Sequence, residues 1–140
     1  MEVPLKPLGK EDIRKLESAL LILSLFDPET LENIKNPENR LTWLDSLYIA
    51  AAALAREKAG IPITQMAEEL GVTEMTLRKH LKGETKAGQL VLKEYEKLSK
   101  EGFKLELPKE ISEEYNKEIN DLKNKLELVK NTLKDLLSKL

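Results

Sequence analysis

Apolar side chains recur at three- and four-residue intervals through most of the chain, and Pro, Gly and Asn mark the breaks. From Glu11 to Phe26 they fall at Ile13, Leu16, Leu20 and Leu23, with Leu21, Ile22 and Leu25 widening the stripe, as in an amphipathic helix. Asp27-Pro28 supplies an N-cap and a first-turn proline for a short helix to about Ile34. Asn36-Pro37-Glu38-Asn39 reads as a turn. Thr42-Trp43-Leu44-Asp45 then matches a capping box, with Asp in place of Glu, and opens a helix to about Ala59. Leu47 to Ala55 is apolar on all sides, so this helix is expected at the centre, where Ala50 to Ala53 let its neighbours approach closely. Gly60 and Pro62 stop it. After Gly83, Thr85 or Lys86 starts a further helix to about Lys100, with Leu90, Val91, Tyr95 and Leu98 as its apolar side. The pattern predicts an all-α protein.

Between these last two helices, Ile63 to Lys82 has the pattern of a helix-turn-helix. Met66, Ala67 and Leu70 supply the inner face of a first short helix. Gly71 sits where a tight corner demands a positive φ, which glycine adopts without steric cost. Val72 plugs the corner, Thr73 can cap the second helix, and Glu74 suits its positive end. Leu77 and Leu81 turn that helix back onto the first. The opposite side shows Glu74, Met75, Arg78, Lys79 and Lys82, a mostly basic face able to enter a major groove. The expected DNA contacts are therefore Thr73, Glu74, Met75, Arg78, Lys79 and Lys82. Arg78 is the candidate for a bidentate guanine contact. Glu74 would accept from a cytosine amino group or complement the helix dipole, and Lys79 and Lys82 would meet phosphates. Thr64 and Gln65, at the start of the first helix, are placed to donate to the phosphate backbone. An ordinary helical hairpin accounts for the glycine and leucines but not for the gathering of cations.

The order of elements, with Leu47-Tyr-Ile-Ala-Ala-Ala-Ala-Leu-Ala-Arg56 and Gly71-Val-Thr-Glu-Met-Thr-Leu77, resembles the cyclin-like repeat of archaeal transcription factor B, its second repeat in particular. The likeness spans roughly residues 11–82 and is sharpest over 47–81. It implies a helical repeat whose last two helices, here Thr64–Leu70 and Thr73–Lys82, read promoter DNA. The general factor carries a zinc ribbon and two repeats, whereas this chain has no Cys and room for one repeat. The resemblance therefore implies a smaller regulator rather than a general initiation factor. The Gly71-Val72-Thr73 corner also occurs in many bacterial-type repressors.

Beyond Gly102 the rhythm changes. Phe103, Leu105 and Leu107 alternate with Lys104 and Glu106, which fits a short strand or an extended linker. A winged helix would need a hairpin, and one strand alone is visible, so 103–108 is read as a linker with Pro108 beginning the next helix. From Ile111 onward, Tyr115, Ile119, Leu122, Leu126, Val129, Leu133, Leu136 and Leu140 are spaced alternately four and three. This is a heptad seam, with Ile119, Leu126, Leu133 and Leu140 at a and Tyr115, Leu122, Val129 and Leu136 at d. A polar helix cannot hide such a seam alone, so 109–140 is expected to be a coiled-coil helix that makes a homodimer. Folding back on the chain's own core is the alternative. In a parallel pair Glu118 would attract Lys123 but Lys125 would repel Lys130, so orientation stays open. Leu128 and Leu137, outside the seam, also leave room for a larger bundle. The predicted organisation is a helical domain over 1–102, containing the 63–82 motif, then the linker and the coiled-coil helix.

Composition narrows the picture. At 140 residues the chain is one domain, or a domain with an appendage. The formal net charge of −2 is unusual for a DNA-binding protein, but the acidic residues concentrate in 11–38 and 110–127. From Thr73 to Lys86, Arg78, Lys79, Lys82 and Lys86 outnumber Glu74 and Glu84, and local sign governs groove binding. The absence of Cys excludes a disulfide framework and Cys-based zinc sites, and suits an intracellular protein. Met1 to Gly9 shows neither the apolar core nor the cleavage site of a signal peptide. The longest apolar runs, Ala19–Leu23 and Leu47–Ala55, are too short to span a bilayer, so a cytoplasmic protein is expected. His80 is the sole histidine and is expected to pack or to touch phosphate. With no glycine-rich loop and no metal-ligand spacing, neither an enzyme nor a cofactor is expected. The rival reading is a protein-interaction module that keeps the cyclin-like bundle and the coiled coil and drops DNA; the acidic balance favours it.

Overall fold

The computed structural model describes residues 2–106 and 109–140. It is all-helical: α1 Lys10–Leu25, α2 Pro28–Lys35, α3 Pro37–Lys58, α4 Ile63–Leu70, α5 Glu74–Leu81, α6 Lys86–Glu101 and α7 Lys109–Ser138. The chain divides into two units, Met1–Glu106 and Leu107–Leu140. Phe103 to Glu106 forms no strand, and Phe103 packs half-buried against the first unit's core. The expected helix start at Pro108 lies outside the described residues.

Within the first unit, α3 touches each of α1, α2, α4, α5 and α6. Its sequence allows this because Ala50 to Ala55 are buried on every side, and alanine and one leucine keep neighbouring backbones close. Leu47, Ala51 and Leu54 join Leu16 and Leu20 of α1 and Leu90, Val91 and Leu98 of α6 in the larger apolar cluster. Ala53, on the other side of α3, meets Met66 of α4 and Leu77 of α5 in a smaller one. Within the apolar stretch Leu47 to Ala55, Tyr48 is exposed and Ile49 half-buried, and Tyr48 lies two turns beyond the exposed Leu41 on the same side of the helix.

The start of α3 differs from the expectation. The helix begins at Pro37, so Pro37-Glu38-Asn39 is not a turn and Thr42 is not a cap. Asn36 Oδ1 accepts from the Glu38 N–H at 3.0 Å, with Pro37 in the first turn. This is the same device as Asp27-Pro28, where Asp27 Oδ1 accepts from the Glu29 N–H at 3.0 Å. Asn36 closes α2 and caps α3 at once, in extended conformation (φ −88°, ψ 111°), so a single residue makes the bend. Thr42 then lies inside a helix whose orphan donors are already met one turn earlier.

Three polar contacts fix the helices that surround α3. The Trp43 indole N–H donates to the buried Thr30 hydroxyl at 3.0 Å, holding α2 on α3. Lys93 of α6 donates to Asp27 Oδ2 at 3.0 Å. Burial alone would raise the Asp27 pKa, but the Glu29 N–H and Lys93 outweigh it and hold the carboxyl below its ordinary value. The Tyr95 hydroxyl donates to the Leu5 carbonyl at 2.9 Å, tying the N-terminal segment to α6.

The α5–α6 crossing is closer than side chains permit. A Cβ on Gly88 would fall on the His80 carbonyl oxygen and lie 2.9 Å from His80 Cα and from Thr85 Oγ1. Glycine here is a packing requirement, since backbone on the facing helix cannot rotate away.

Taken by itself, α7 is a single helix of 30 residues. Tyr115, Ile119, Leu122, Leu126, Val129, Leu133 and Leu136 are all exposed, as are Leu128 and Leu137. Leu140 lies past the end of the helix at Ser138, so the last expected a position is not helical. No helix among the described residues is long and apolar enough to cross a membrane.

The crossing gives the first prediction. Gly88→Ala is expected to destabilise the protein by roughly 1–3 kcal/mol through overpacking. That outweighs the alanine helix-propensity gain of at most about 1 kcal/mol. Urea unfolding followed by circular dichroism measures it, and a stabilised variant would refute the close crossing.

Candidate nucleic-acid interface

The corner between α4 and α5 is built from three residues. Gly71 ends α4 in the left-handed region (φ 68°, ψ 31°), and its N–H donates to the Ala67 carbonyl at 2.9 Å. Val72 follows, half-buried against the Met66–Leu77 cluster. Thr73 is extended, and its Oγ1 accepts from the Thr76 N–H at 3.2 Å, capping α5. Met66 and Leu77 are buried where the helices cross, with Ala67, Leu70 and Leu81 half-buried around them. Both short helices therefore rest on the Ala53 side of α3.

That packing leaves the opposite face of α5 open. Met75, Arg78, Lys79 and Lys82 are all exposed, and their spacing puts them on one side of the helix. Met75 keeps 65% of its surface in solvent, an unusual cost for a large apolar side chain. Arg78 Nη2 donates to Glu74 Oε1 at 3.2 Å, an exposed i,i+4 pair, while Glu74 is half-buried. Thr73 is exposed, but its hydroxyl serves the cap and also donates to Thr76 Oγ1 at 2.9 Å. Thr64 and Gln65 are exposed on the first turn of α4, and the Gln65 amide donates to Glu69 Oε1 at 3.0 Å.

His80 packs inward. It is buried, and its Nδ1 lies 2.7 Å from Thr85 Oγ1. That hydroxyl already accepts from the Gly88 N–H at 2.9 Å, so its own proton is free for Nδ1. Burial lowers the imidazole pKa below its ordinary 6.5. With 6% of its surface exposed, the ring takes the packing role of the two expected for it.

One feature of the site had no local signal in the sequence. Arg56 of α3 donates through Nε to Glu69 of α4 at 2.9 Å, and through Nη1 to Glu17 of α1 at 3.1 Å and to the Ala52 carbonyl at 3.0 Å. The hydrogen bonds from Gln65 and Arg56 hold the Glu69 carboxyl below its ordinary pKa. These residues lie far apart along the chain, so no periodicity links them. The brace ties α4 to α1 and α3, and Glu69 in turn accepts from Gln65.

Two clefts flank the first turn of α4. One, of ≈ 400 Å³, opens between Lys10 and Arg14 of α1 and Gln65 of α4. The other, of ≈ 250 Å³, runs from Ile63 and Met66 to Arg78 and Lys82 of α5. Ile61 lines both.

No protein-family profile matches the chain, and no solved structure does. The chain is 56% identical over 104 residues to an uncharacterized protein of Methanocaldococcus jannaschii. That match covers 74% of this chain and 64% of the relative, so the chain spans less than two thirds of the relative's length.

The corner carries the second prediction. A Cβ on Gly71 would meet nothing within 4 Å, so the constraint there is purely conformational. Gly71→Val is expected to cost roughly 1–3 kcal/mol and Gly71→Asn distinctly less, because asparagine tolerates left-handed backbone. Thermal melts of the two variants compare them; equal melting temperatures would contradict the strained corner.

Proposed function

We propose that this protein is a sequence-specific DNA-binding regulator in which α4 and α5 form a helix-turn-helix. The observation that carries the reading is the outward face of α5. Met75, Arg78, Lys79 and Lys82 stand exposed together on a helix whose other side is anchored by Leu77, Leu81 and His80. A helix held so, with long cations outward, suits insertion into a major groove. The central α3, with the other five helices of its unit around it, supports the likeness of α1–α5 to a single cyclin-like repeat of archaeal transcription factor B.

The Arg78–Glu74 pair does not block base reading. An exposed i,i+4 ion pair contributes about 0.3–0.5 kcal/mol. A bidentate arginine–guanine contact contributes about 1–3 kcal/mol of discrimination. The guanidinium can therefore leave Glu74 for a guanine edge, and Glu74 is then free to accept from a cytosine amino group. Lys79 and Lys82 reach phosphates, with Thr64 and Gln65 on the backbone beside α4.

In this reading the exposed seam of α7 pairs two chains as a coiled coil. Seven apolar side chains at heptad spacing from Tyr115 to Leu136, exposed on a largely polar helix that also carries Leu128 and Leu137, support it. Pairing would couple two half-site contacts through a high effective concentration. A second reading, a protein-interaction module that does not bind DNA, draws on the exposed apolar Leu41 and Tyr48 of α3.

Duplex DNA binding that weakens steeply with salt is expected. Arg78→Ala should cost roughly 1–3 kcal/mol and relax sequence preference, whereas Lys82→Ala should weaken all sequences alike. Mobility-shift titrations at several salt concentrations distinguish these effects, and absence of binding at low salt favours the second reading. For assembly, Leu126→Lys with Leu133→Lys in the full chain is expected to give a monomer by light scattering, with weaker DNA binding and an unchanged melt of the first unit. A wild-type chain that is monomeric at high micromolar concentration would remove the dimer.

A further inference from the structure

The geometry points to a second, non-reading DNA contact on α1, made by Lys10 and Arg14 to the phosphate backbone. It rests on the reading of α4–α5 as a DNA-binding unit and extends its footprint to a helix that the motif does not include. The two residues are four apart, exposed, and on the side of α1 that borders the larger cleft. Gln65 forms the opposite wall of that cleft. Arg78 and Lys82 border the second cleft, with Ile63, and Ile61 lines both. The first turn of α4 thus stands between two pairs of cations, one from α1 and one from α5.

Charge around the α1 pair supports a polyanion as partner. The nearby carboxylates are already engaged. Glu17 and Glu69 are held by Arg56, Glu11 is 3.7 Å from Lys15, and Asp12 accepts from the Leu8 N–H at 3.4 Å. Lys10 lies close enough to Glu69 to lower its pKa, while Arg14 has no ion pair among the described residues. Ile13 and Ile61 supply the apolar part of the cleft, and Lys10 and Arg14 stand exposed at its α1 side. A duplex seated on α5 continues past α4 with about one phosphate per 1.7 Å of axis, and its backbone is the charge that α1 would meet. The Arg56 brace fixes α1 relative to α4, so the two cation pairs stay in register without ordering a loop.

The test uses the full chain, fluorescence anisotropy, and a labelled random-sequence duplex at a series of KCl concentrations. Lys10→Ala with Arg14→Ala is compared with Lys97→Ala and Lys100→Ala, which removes the same charge from exposed positions on α6. The α1 variant is expected to bind more weakly, with a salt slope shallower by about 2 and an unchanged ranking of sequences. Lys10→Arg with Arg14→Lys should restore the slope, and the α6 variant should bind as wild type does. If the α1 variant titrates like wild type, or the α6 variant loses as much, the contact is absent while the α4–α5 reading stands. If wild type binds no duplex at low salt, the reading itself fails and the α1 contact fails with it.

Discussion

Six consecutive buried residues in α3, Ala50 to Ala55, set what the rest of the first unit can do. A helix with bulky side chains all round would hold its neighbours far apart, and a helix with one apolar stripe would accept them on one side only. The alanine run gives α3 two usable faces. One carries the core with α1 and α6; the other carries the small cluster under α4 and α5. The short helices have eight residues each, too few to persist alone, so their helicity depends on this support.

The same support confers stiffness on the outward face of α5. Its inner side is held by Leu77 in the cluster, by Gly71 and Thr73 at the corner, and by the close approach to Gly88. The Arg56 brace adds α1 and α4 to that frame. Side chains on a helix so fixed keep their relative positions, which is what recognition of a groove requires. The net charge of −2 does not oppose this arrangement, because Glu74 is paired with Arg78 and the exposed Lys79 and Lys82 have no acid partner on α5.

Much of this was legible in the chain itself. The helical class, the central place of α3, the inner residues Met66 and Leu77, and the glycine corner all follow from local rules of spacing, burial and backbone sterics. The start of α3 departs from its local pattern because two cap-like motifs compete within seven residues. Thr42-x-x-Asp45 is a plausible box, but Asn36-Pro37 acts first, and a helix once begun passes through Thr42 at little cost. The exposure of Tyr48 is not legible, because an apolar run does not reveal which of its residues lacks a neighbour.

Local spacing encodes the presence of these helices, though not the first residue of α3, and the apolar side of each, since these depend on residues within a turn or two of one another. The joining of Arg56 to Glu17 and Glu69, and the close approach of Gly88 to the His80 backbone, arise from the assembled packing. It also turned His80 inward, to Thr85. Such contacts depend on how close two helices come and at what rotation. That is settled by the summed packing of every neighbour around α3, and no local pattern encodes it.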